Sequence, residues 1–331
     1  MNVSEKPRVA LVLGDPNGIG PELAAKLVAE QETSKRARLV IVADKQVLDE
    51  GMRVAGVHFD YKTADHGSVD LFTDDTPVLL TRPVYEGDSG NKGQVSKIAG
   101  KYQLDCLTKG IHLCLQGVVD CLCFAPLNKE AMHLAGLKHE DESGLFLDLL
   151  DHKGDFGLLN TLGNLWTSRA TSHVSHRQVS ELLNEESILT AARVLDKALR
   201  ASGNDDPKIA VAGLNPHAGD GGMFGTEEID IIEPAVRKAQ QEGINVSGPF
   251  PPDTIFLMGR DGKYDAVVTM YHDQGQIAMK LMGFDHGVTV HAGLDYPVTT
   301  SAHGSAYDIA GQGIANVRAL REAFLLACSM S

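Results

Sequence analysis

A chain of 331 residues, 43% hydrophobic and 22% charged, has the composition of a folded globular protein and length enough for two domains. Its formal charge of −14, from 30 Lys and Arg against 44 Asp and Glu, argues against binding nucleic acid or an anionic membrane, because attraction to phosphate needs a basic face. An anionic substrate must then be met by local cations or by a metal.

The first stretch, MNVSEKPRVALVLG, lacks a signal-peptide pattern and no apolar run reaches transmembrane length, so a soluble, cytoplasmic protein is expected. Residues 8–13 read as a buried strand that runs into the turn GDPNGIGPE, residues 14–22, and then a helix over 22–30. Pro21 suits a first helical turn and Glu22 suits its positive dipole end. Gly14, Gly18 and Gly20 do not give G-x-G-x-x-G, and no Lys is placed as in a P-loop. A tight structural turn and a ligand-facing loop both remain open there.

Strands follow at 38–43 and 77–80, a helix at 95–116, and a strand at 121–124 in which Cys121 and Cys123 alternate with Leu122 and Phe124. The five cysteines, Cys106, Cys114, Cys121, Cys123 and Cys328, are odd in number and lie in apolar company, so they read as reduced core thiols. Beyond them come a helix at 187–201, a strand at 208–212, a helix at 227–241 and a strand at 266–270. This alternation predicts α/β layers around a largely parallel sheet. The polar loops at 140–143, 202–206 and 259–263 are too short for flexible tethers, so two domains would be tightly joined or interleaved in sequence.

Histidine is the informative residue type. Of 13, three stand in unusual company: His173 in ATSH, His217 in LNPHAGDGG and His272 in MYHDQG. His217 and His272 each follow a strand-like run, where an α/β sheet carries its ligand loops. Three imidazoles make a metal site with open positions for substrate oxygens, although this spacing matches no short zinc signature and a single His more often caps or faces solvent. Asp273 is a candidate to orient or acidify this neighbourhood, although adjacent side chains rarely point the same way. His176, His286 and His291 compete for the assignment, and His176 shares a helix face with His173 if that segment is helical.

The late stretch HGSAYDIAGQGIAN, residues 303–316, resembles the adenosine-binding loop of the isopropylmalate and isocitrate family of decarboxylating dehydrogenases. The resemblance implies that His303 lies near an adenine, with Ala306 in the same loop and Asn316 close by, and that Asp308 faces the ribose. A carboxylate there accepts from the 2′-hydroxyl and repels a 2′-phosphate, which favours NAD. A plain glycine-rich connection is the alternative.

A closer resemblance spans nearly the whole chain. GDPNGIGPE, APLNKEAM, TSHVSHR, GLNPHAGDGGMFGTEEID, PPDTIF, MYHDQGQ and HGSAYDIAG, in this order, resemble the 4-hydroxythreonine-4-phosphate dehydrogenase family. This implies an isocitrate/isopropylmalate dehydrogenase-like α/β fold of two α/β/α domains with an active-site cleft between them. The first domain is expected over 1–130 plus 285–331 and the second over 131–284. It also implies a homodimer with the active site at the subunit interface, using NAD and one divalent metal (Zn, Co, Mn, Mg or Fe) held by His173, His217 and His272, which chooses His173 over His176.

The family's substrate lysine falls on Lys280, its His-Thr pair on Glu142 and Ser143, its Asn on Thr289 and its Arg on Val298. The exchanges to Glu and Val remove cationic donors, so the substrate is expected to differ from the founding one. The family branch acting on 4-phospho-D-threonate or 4-phospho-D-erythronate keeps the hydroxy acid and changes the amino end, so it fits the altered contacts at least as well as the vitamin B6 intermediate; another branch acts on cis-dihydrodiols. The expected reaction is oxidation of a secondary alcohol β to a carboxylate, then loss of carbon dioxide, with Lys280 helping the metal to stabilise the enolate or else binding the carboxylate or phosphate, against a plain solvated helix face. Asp253 and Asp273 are candidates for proton transfer or for holding metal ligands, against a turn or capping role. A zinc hydrolase or a binding protein without turnover are the rivals from other classes.

Overall fold

The computed structural model describes residues 6–65, 71–81, 83–283 and 285–331; residues 1–5 of the stretch read above for targeting lie outside them. The chain divides into two compact units, Met1–Lys153 with Leu294–Ser329 and Ser331, and Gly154–Gly293 with Met330. Among the described residues no helix is long and apolar enough to cross a membrane.

The first unit holds β1 (Arg8–Val12), β2 (Arg38–Val42), β3 (Lys62–Ala64), β4 (Val78–Leu80), β5 (Cys121–Phe124) and β12 (Val298–Ser301). They lie in the order β3-β4-β2-β1-β5-β12, with every described pairing parallel. The inner strands are continuous apolar runs, such as RLVIV in β2, because helices bury both faces of a parallel sheet. Those helices are α1 (Gly20–Ala29), α2 (Gln31–Arg36), α3 (Lys45–Ala55), α4 (Lys97–Leu115), α5 (Lys129–Leu134), α6 (Glu142–Leu149) and α12 (Arg318–Ser329). The expected boundary fell at residue 130; α5 and α6 pack against α4, which keeps residues up to Lys153 with this unit. Cys106, Cys114, Cys121 and Cys123 are buried, and burial pushes the Cys114 and Cys123 thiols up to about 12, as expected for core thiols.

The second unit holds β6 (Gly157–Leu162), β7 (Leu165–Arg169), β8 (Ile209–Ala212), β9 (Val246–Phe250), β10 (Ala266–Thr269) and β11 (Val288–Ala292), in the order β11-β6-β7-β10-β8-β9. Strands β7, β10, β8 and β9 are parallel, whereas β6 runs antiparallel to β7 and to β11. Its helices are α7 (His176–Leu182), α8 (Glu185–Ala201), α9 (Glu233–Gln241), α10 (Pro252–Arg260) and α11 (His272–Met282). Leu165, Ile255, Phe256, Val267 and Met279 form a buried cluster that seats α10 and α11 on the sheet, each large side chain contributing about 1.5–3 kcal/mol. The helix expected at 227–241 begins with a π turn, Glu228–Ile232, before α9. These strands position the histidine loops, because β7, β8 and β10 end side by side.

Candidate active site

In the second unit, β7 runs out through Arg169 to His173, and this exit is tied to the end of β10: Thr171 Oγ1 donates to the Met270 carbonyl at 2.8 Å. Beyond β10, Tyr271 caps α11 and His272 is its first residue. The two imidazoles meet, with the ring centroids of His173 and His272 5.3 Å apart. Two imidazoles on one tetrahedral ion at about 2.1 Å place their centroids roughly 5 Å apart, so the pair fits a shared divalent metal.

His272 Nδ1 lies 2.7 Å from Asp273 Oδ1, and this hydrogen bond holds the Asp273 carboxyl below the usual carboxylate range. A carboxylate partner assigns the Nδ1 proton to His272 and leaves Nε2 as the electron-pair donor. His176 stacks on Tyr271 at 5.2 Å and puts Nε2 3.9 Å from Asp273 Oδ2. His286 bonds Asp285 at 2.7 Å, and His291 is buried in β11.

His217 follows β8. After β8 the chain enters a left-handed turn in which His217, Ala218, Gly219, Asp220 and Gly221 have φ of 55°, 54°, 79°, 44° and 65°. Non-glycine residues there are strained, so the surroundings must hold them. Glu228, 2% exposed, does so: its Oε1 accepts from the Leu214 and Asn215 amides at 2.7 Å each, and its Oε2 from Asn215 Nδ2 at 2.9 Å. Gln274 joins the β8 and β10 exits by donating to the Gly213 carbonyl at 2.8 Å and accepting from the Met270 amide at 2.7 Å. The His217 ring packs on Phe224, 6.1 Å away. Among the described residues of one chain, no group of three or more His, Cys, Asp or Glu is arranged to hold a metal ion. Of the three expected imidazoles, His173 and His272 are in ring contact within one chain.

Lys280 is exposed on α11, eight residues after His272, and Asp253 is exposed in the first turn of α10. Thr289 Oγ1 accepts from Asn160 Nδ2 at 3.1 Å. Asn160 Oδ1 in turn accepts from Arg169 Nη1 at 3.1 Å and Gln276 Nε2 at 2.5 Å. Reading the sequence missed Asn160, Arg169 and Gln276, since their strand and helix partners are distant in sequence.

In the first unit, the late loop and the N-terminal turn are one construction. Asp15 is fully buried; its Oδ1 accepts from the Asn17 amide at 3.0 Å and its Oδ2 from the Tyr307 hydroxyl at 2.6 Å. The Ile19 amide donates to the Ser305 carbonyl at 3.0 Å. Lys26 Nζ reaches the carbonyls of Gly313 and Ala315 at 2.9 and 2.8 Å, while Glu22 Oε1 accepts from the Ala315 amide at 2.8 Å. Within GDPNGIGPE, Asp15 and Glu22 are buried and brace the late loop, while Asn17, also buried, bonds the Tyr85 hydroxyl and the Gln94 carbonyl. Ala306 has φ of 42°, Asp308 is exposed, His303 Nδ1 lies 3.1 Å from the Gly304 carbonyl, and Asn316 Oδ1 accepts from the Arg318 amide at 3.0 Å. Glu142, 6% exposed, forms an ion pair with Lys129, and Ser143 is equally buried. Val298 has no exposed surface and pairs with Leu122 inside the sheet, so it is a core residue.

The sequence pattern of the family described as pyridoxal phosphate biosynthetic protein PdxA matches residues 35–327. A Pseudomonas aeruginosa protein provisionally named 4-hydroxythreonine-4-phosphate dehydrogenase 2 is 50% identical, covering 100% of this chain and 98% of its own. D-threonate 4-phosphate dehydrogenase of Salmonella typhimurium is 35% identical over 99% of this chain and 100% of its own. The crystal structure of 4-hydroxythreonine-4-phosphate dehydrogenase from Klebsiella pneumoniae superposes with a TM-score of 0.85 at 37% identity, covering 99% of each chain. The chain belongs to the PdxA family.

Proposed function

We propose that the protein is an NAD-dependent, divalent-metal-dependent dehydrogenase that oxidises and decarboxylates a phosphorylated four-carbon 3-hydroxy acid. The observation that carries this reading is the His173–His272 pair, whose 5.3 Å separation suits one shared ion. His173 and His272 would hold the ion from one chain, and His217 of a second copy would complete the set in a homodimer. Met223 and Phe224, near His217, are 73% and 47% exposed, an apolar surface suited to cover by that copy. Imidazole donors favour zinc, cobalt or iron over magnesium. Buried reduced thiols and use of NAD fit a cytoplasmic enzyme.

When bound, the metal supplies a Lewis acid that acidifies the substrate hydroxyl, and NAD supplies the hydride acceptor. Asp273 holds the Nδ1 proton of His272 and keeps the ring oriented. Lys280 Nζ offers its positive charge and a hydrogen bond to the enolate oxygen that develops as carbon dioxide leaves. Thr289 would meet a substrate oxygen with its hydroxyl, and Asp253 is the candidate proton carrier. On the loop at 303–316, His303, Ala306 and Asn316 would hold the adenosine, and the exposed Asp308 carboxylate would accept from its ribose 2′-hydroxyl.

The test is NADH absorbance with a divalent metal present, offering 4-hydroxythreonine 4-phosphate, 4-phospho-D-threonate and 4-phospho-D-erythronate in parallel, with a cis-dihydrodiol as a fourth substrate. Turnover of any phosphorylated acid, abolished by a chelator, supports the reading and names the substrate. Turnover of the dihydrodiol alone, or of none, rejects the substrate class proposed.

A further inference from the structure

We propose that Asn160 is a positioning residue of this site: its carboxamide sets the direction of the Thr289 hydroxyl, so that Thr289 gives its proton to an oxygen of the substrate. The inference rests on the dehydrogenase reading above and deepens it by one residue.

The placement follows from the sheet. Asn160 on β6 stands directly opposite Thr289 on the antiparallel strand β11 and opposite Thr167 on β7. Directly opposed residues put their side chains on one face, and Arg169, two residues after Thr167, shares it. Leu165, on the same face of β7, belongs with Met279 of α11 to one buried cluster, so α11 covers this face. On α11, His272, Gln276 and Lys280 are spaced i, i+4 and i+8 and lie along one stripe of the helix. Asn160, Arg169, Gln276 and Thr289 are each half-buried.

Asn160 Oδ1 accepts from Arg169 Nη1 at 3.1 Å and from Gln276 Nε2 at 2.5 Å, while Nδ2 donates to Thr289 Oγ1 at 3.1 Å. A guanidinium carries only donors, whatever other groups it also bonds, so the Asn160 atom facing Arg169 is the oxygen. The direction of the whole amide follows. Its nitrogen must face Thr289, and one lone pair of that hydroxyl is filled by a donor that has no lone pair to offer in return. The Thr289 proton therefore goes to another acceptor. Carboxylate, phosphate and hydroxyl oxygens of the proposed substrate are such acceptors, and Thr289 is joined through one carboxamide to the α11 stripe that bears His272 and Lys280. An aspartate at 160 keeps an oxygen for Arg169 and Gln276, but its second oxygen draws the Thr289 proton to itself.

The experiment uses the full-length, metal-loaded protein as parent, N160D, T289V and the double variant. Calorimetric titration measures binding of 4-phospho-D-threonate, with 4-phospho-D-erythronate and 4-hydroxythreonine 4-phosphate titrated alongside; KM and kcat are taken on the acid bound most tightly, and zinc affinity, NADH binding and melting temperature are measured in parallel. The expected result is that N160D and T289V each weaken binding of that acid roughly tenfold and raise KM more than they lower kcat. The double variant should lose no more than either single one, because N160D acts through the same proton that T289V removes. Zinc affinity and NADH binding stay at parent values. Losses that add in full in the double variant overturn the inference, since they mark plain repulsion between the new carboxylate and the anionic acid. Parent-like binding by N160D overturns it by disconnecting Asn160 from Thr289, and parent-like binding by T289V by removing Thr289 from the substrate. So does a fall in zinc affinity and melting temperature that tracks the loss of the acid, which marks a structural role. Each of these leaves the dehydrogenase reading standing, whereas a parent that binds none of the three acids overturns both together.

Discussion

The Tyr307 hydroxyl donates to Asp15 Oδ2 at 2.6 Å across 292 residues of sequence, joining the turn at 14–22 to the late loop at 303–316. Burial raises the Asp15 carboxyl above its ordinary 3.8, against the lowering effect of the Tyr307 and Asn17 hydrogen bonds. Replacing Tyr307 with Phe removes a donor from a buried carboxylate and should cost about 1–3 kcal/mol in urea unfolding, with weaker NADH binding. The pH dependence has a definite sign. A carboxyl with a raised folded pKa binds more protons folded than unfolded, so its contribution to stability is fully present below 3.8 and is lost as pH rises through the folded value. Relative to the parent, D15N should therefore gain stability as pH rises through that window, and unfolding curves of both proteins across acid pH check it.

Gly18 tests the same junction by space. A Cβ there would meet Ser305 Cβ at 2.6 Å and the Ser305 carbonyl oxygen at 2.8 Å, contacts that real side chains do not make. G18A should push the late loop off the turn, lowering stability by about 1–3 kcal/mol and NADH affinity by roughly tenfold. Unchanged NADH affinity in a destabilised G18A protein would separate the turn from the cofactor loop.

How much of this was legible beforehand depended on which contacts are local. The strands at 8–12, 38–42, 121–124, 209–212 and 266–269 were readable because sheet strands buried on both faces are unbroken apolar runs. The β6–β7 hairpin was not, because Asn160, Thr167 and Arg169 interrupt its apolar residues, and two of those three belong to the polar cluster beside the histidines. The spacing of His173 and His272 left their pairing open, since it depends on β7 and β10 being neighbours. At the turn over 14–22 a structural turn and a ligand-facing loop both stayed open because its glycines permit close approach; what approaches Gly18 is Ser305 of the same chain, and Glu22 holds Ala315.

Glu228 gives a prediction about the strained turn at 217–221. Its carboxylate accepts two backbone amides and one side-chain amide, which offsets the strain of three non-glycine residues at positive φ. E228Q replaces one acceptor oxygen by a donor and weakens the others. Stability should fall by about 1–3 kcal/mol, and the affinity for zinc, measured by competition with a chelator, should fall roughly tenfold through the misplaced His217. Loss of stability with full zinc affinity would show that the turn does not set the position of a ligand.

The division of the histidines makes the strongest prediction about assembly. If His173 and His272 of one chain are completed by His217 of another, H217A and H272A are each inactive alone, because every site in either homodimer lacks a ligand. Mixed in equal amounts and allowed to reassort, half of the dimers contain one chain of each kind. In such a dimer, the H217A chain keeps His173 and His272 and the H272A chain lends it His217, so one site of the two is whole. Random reassortment should therefore restore about a quarter of parental activity and of zinc content. Ligands confined to a single chain allow no recovery on mixing, since each chain then carries its own defect. Zinc content reads the result without reference to any substrate, so it tests the shared site even before the substrate is known.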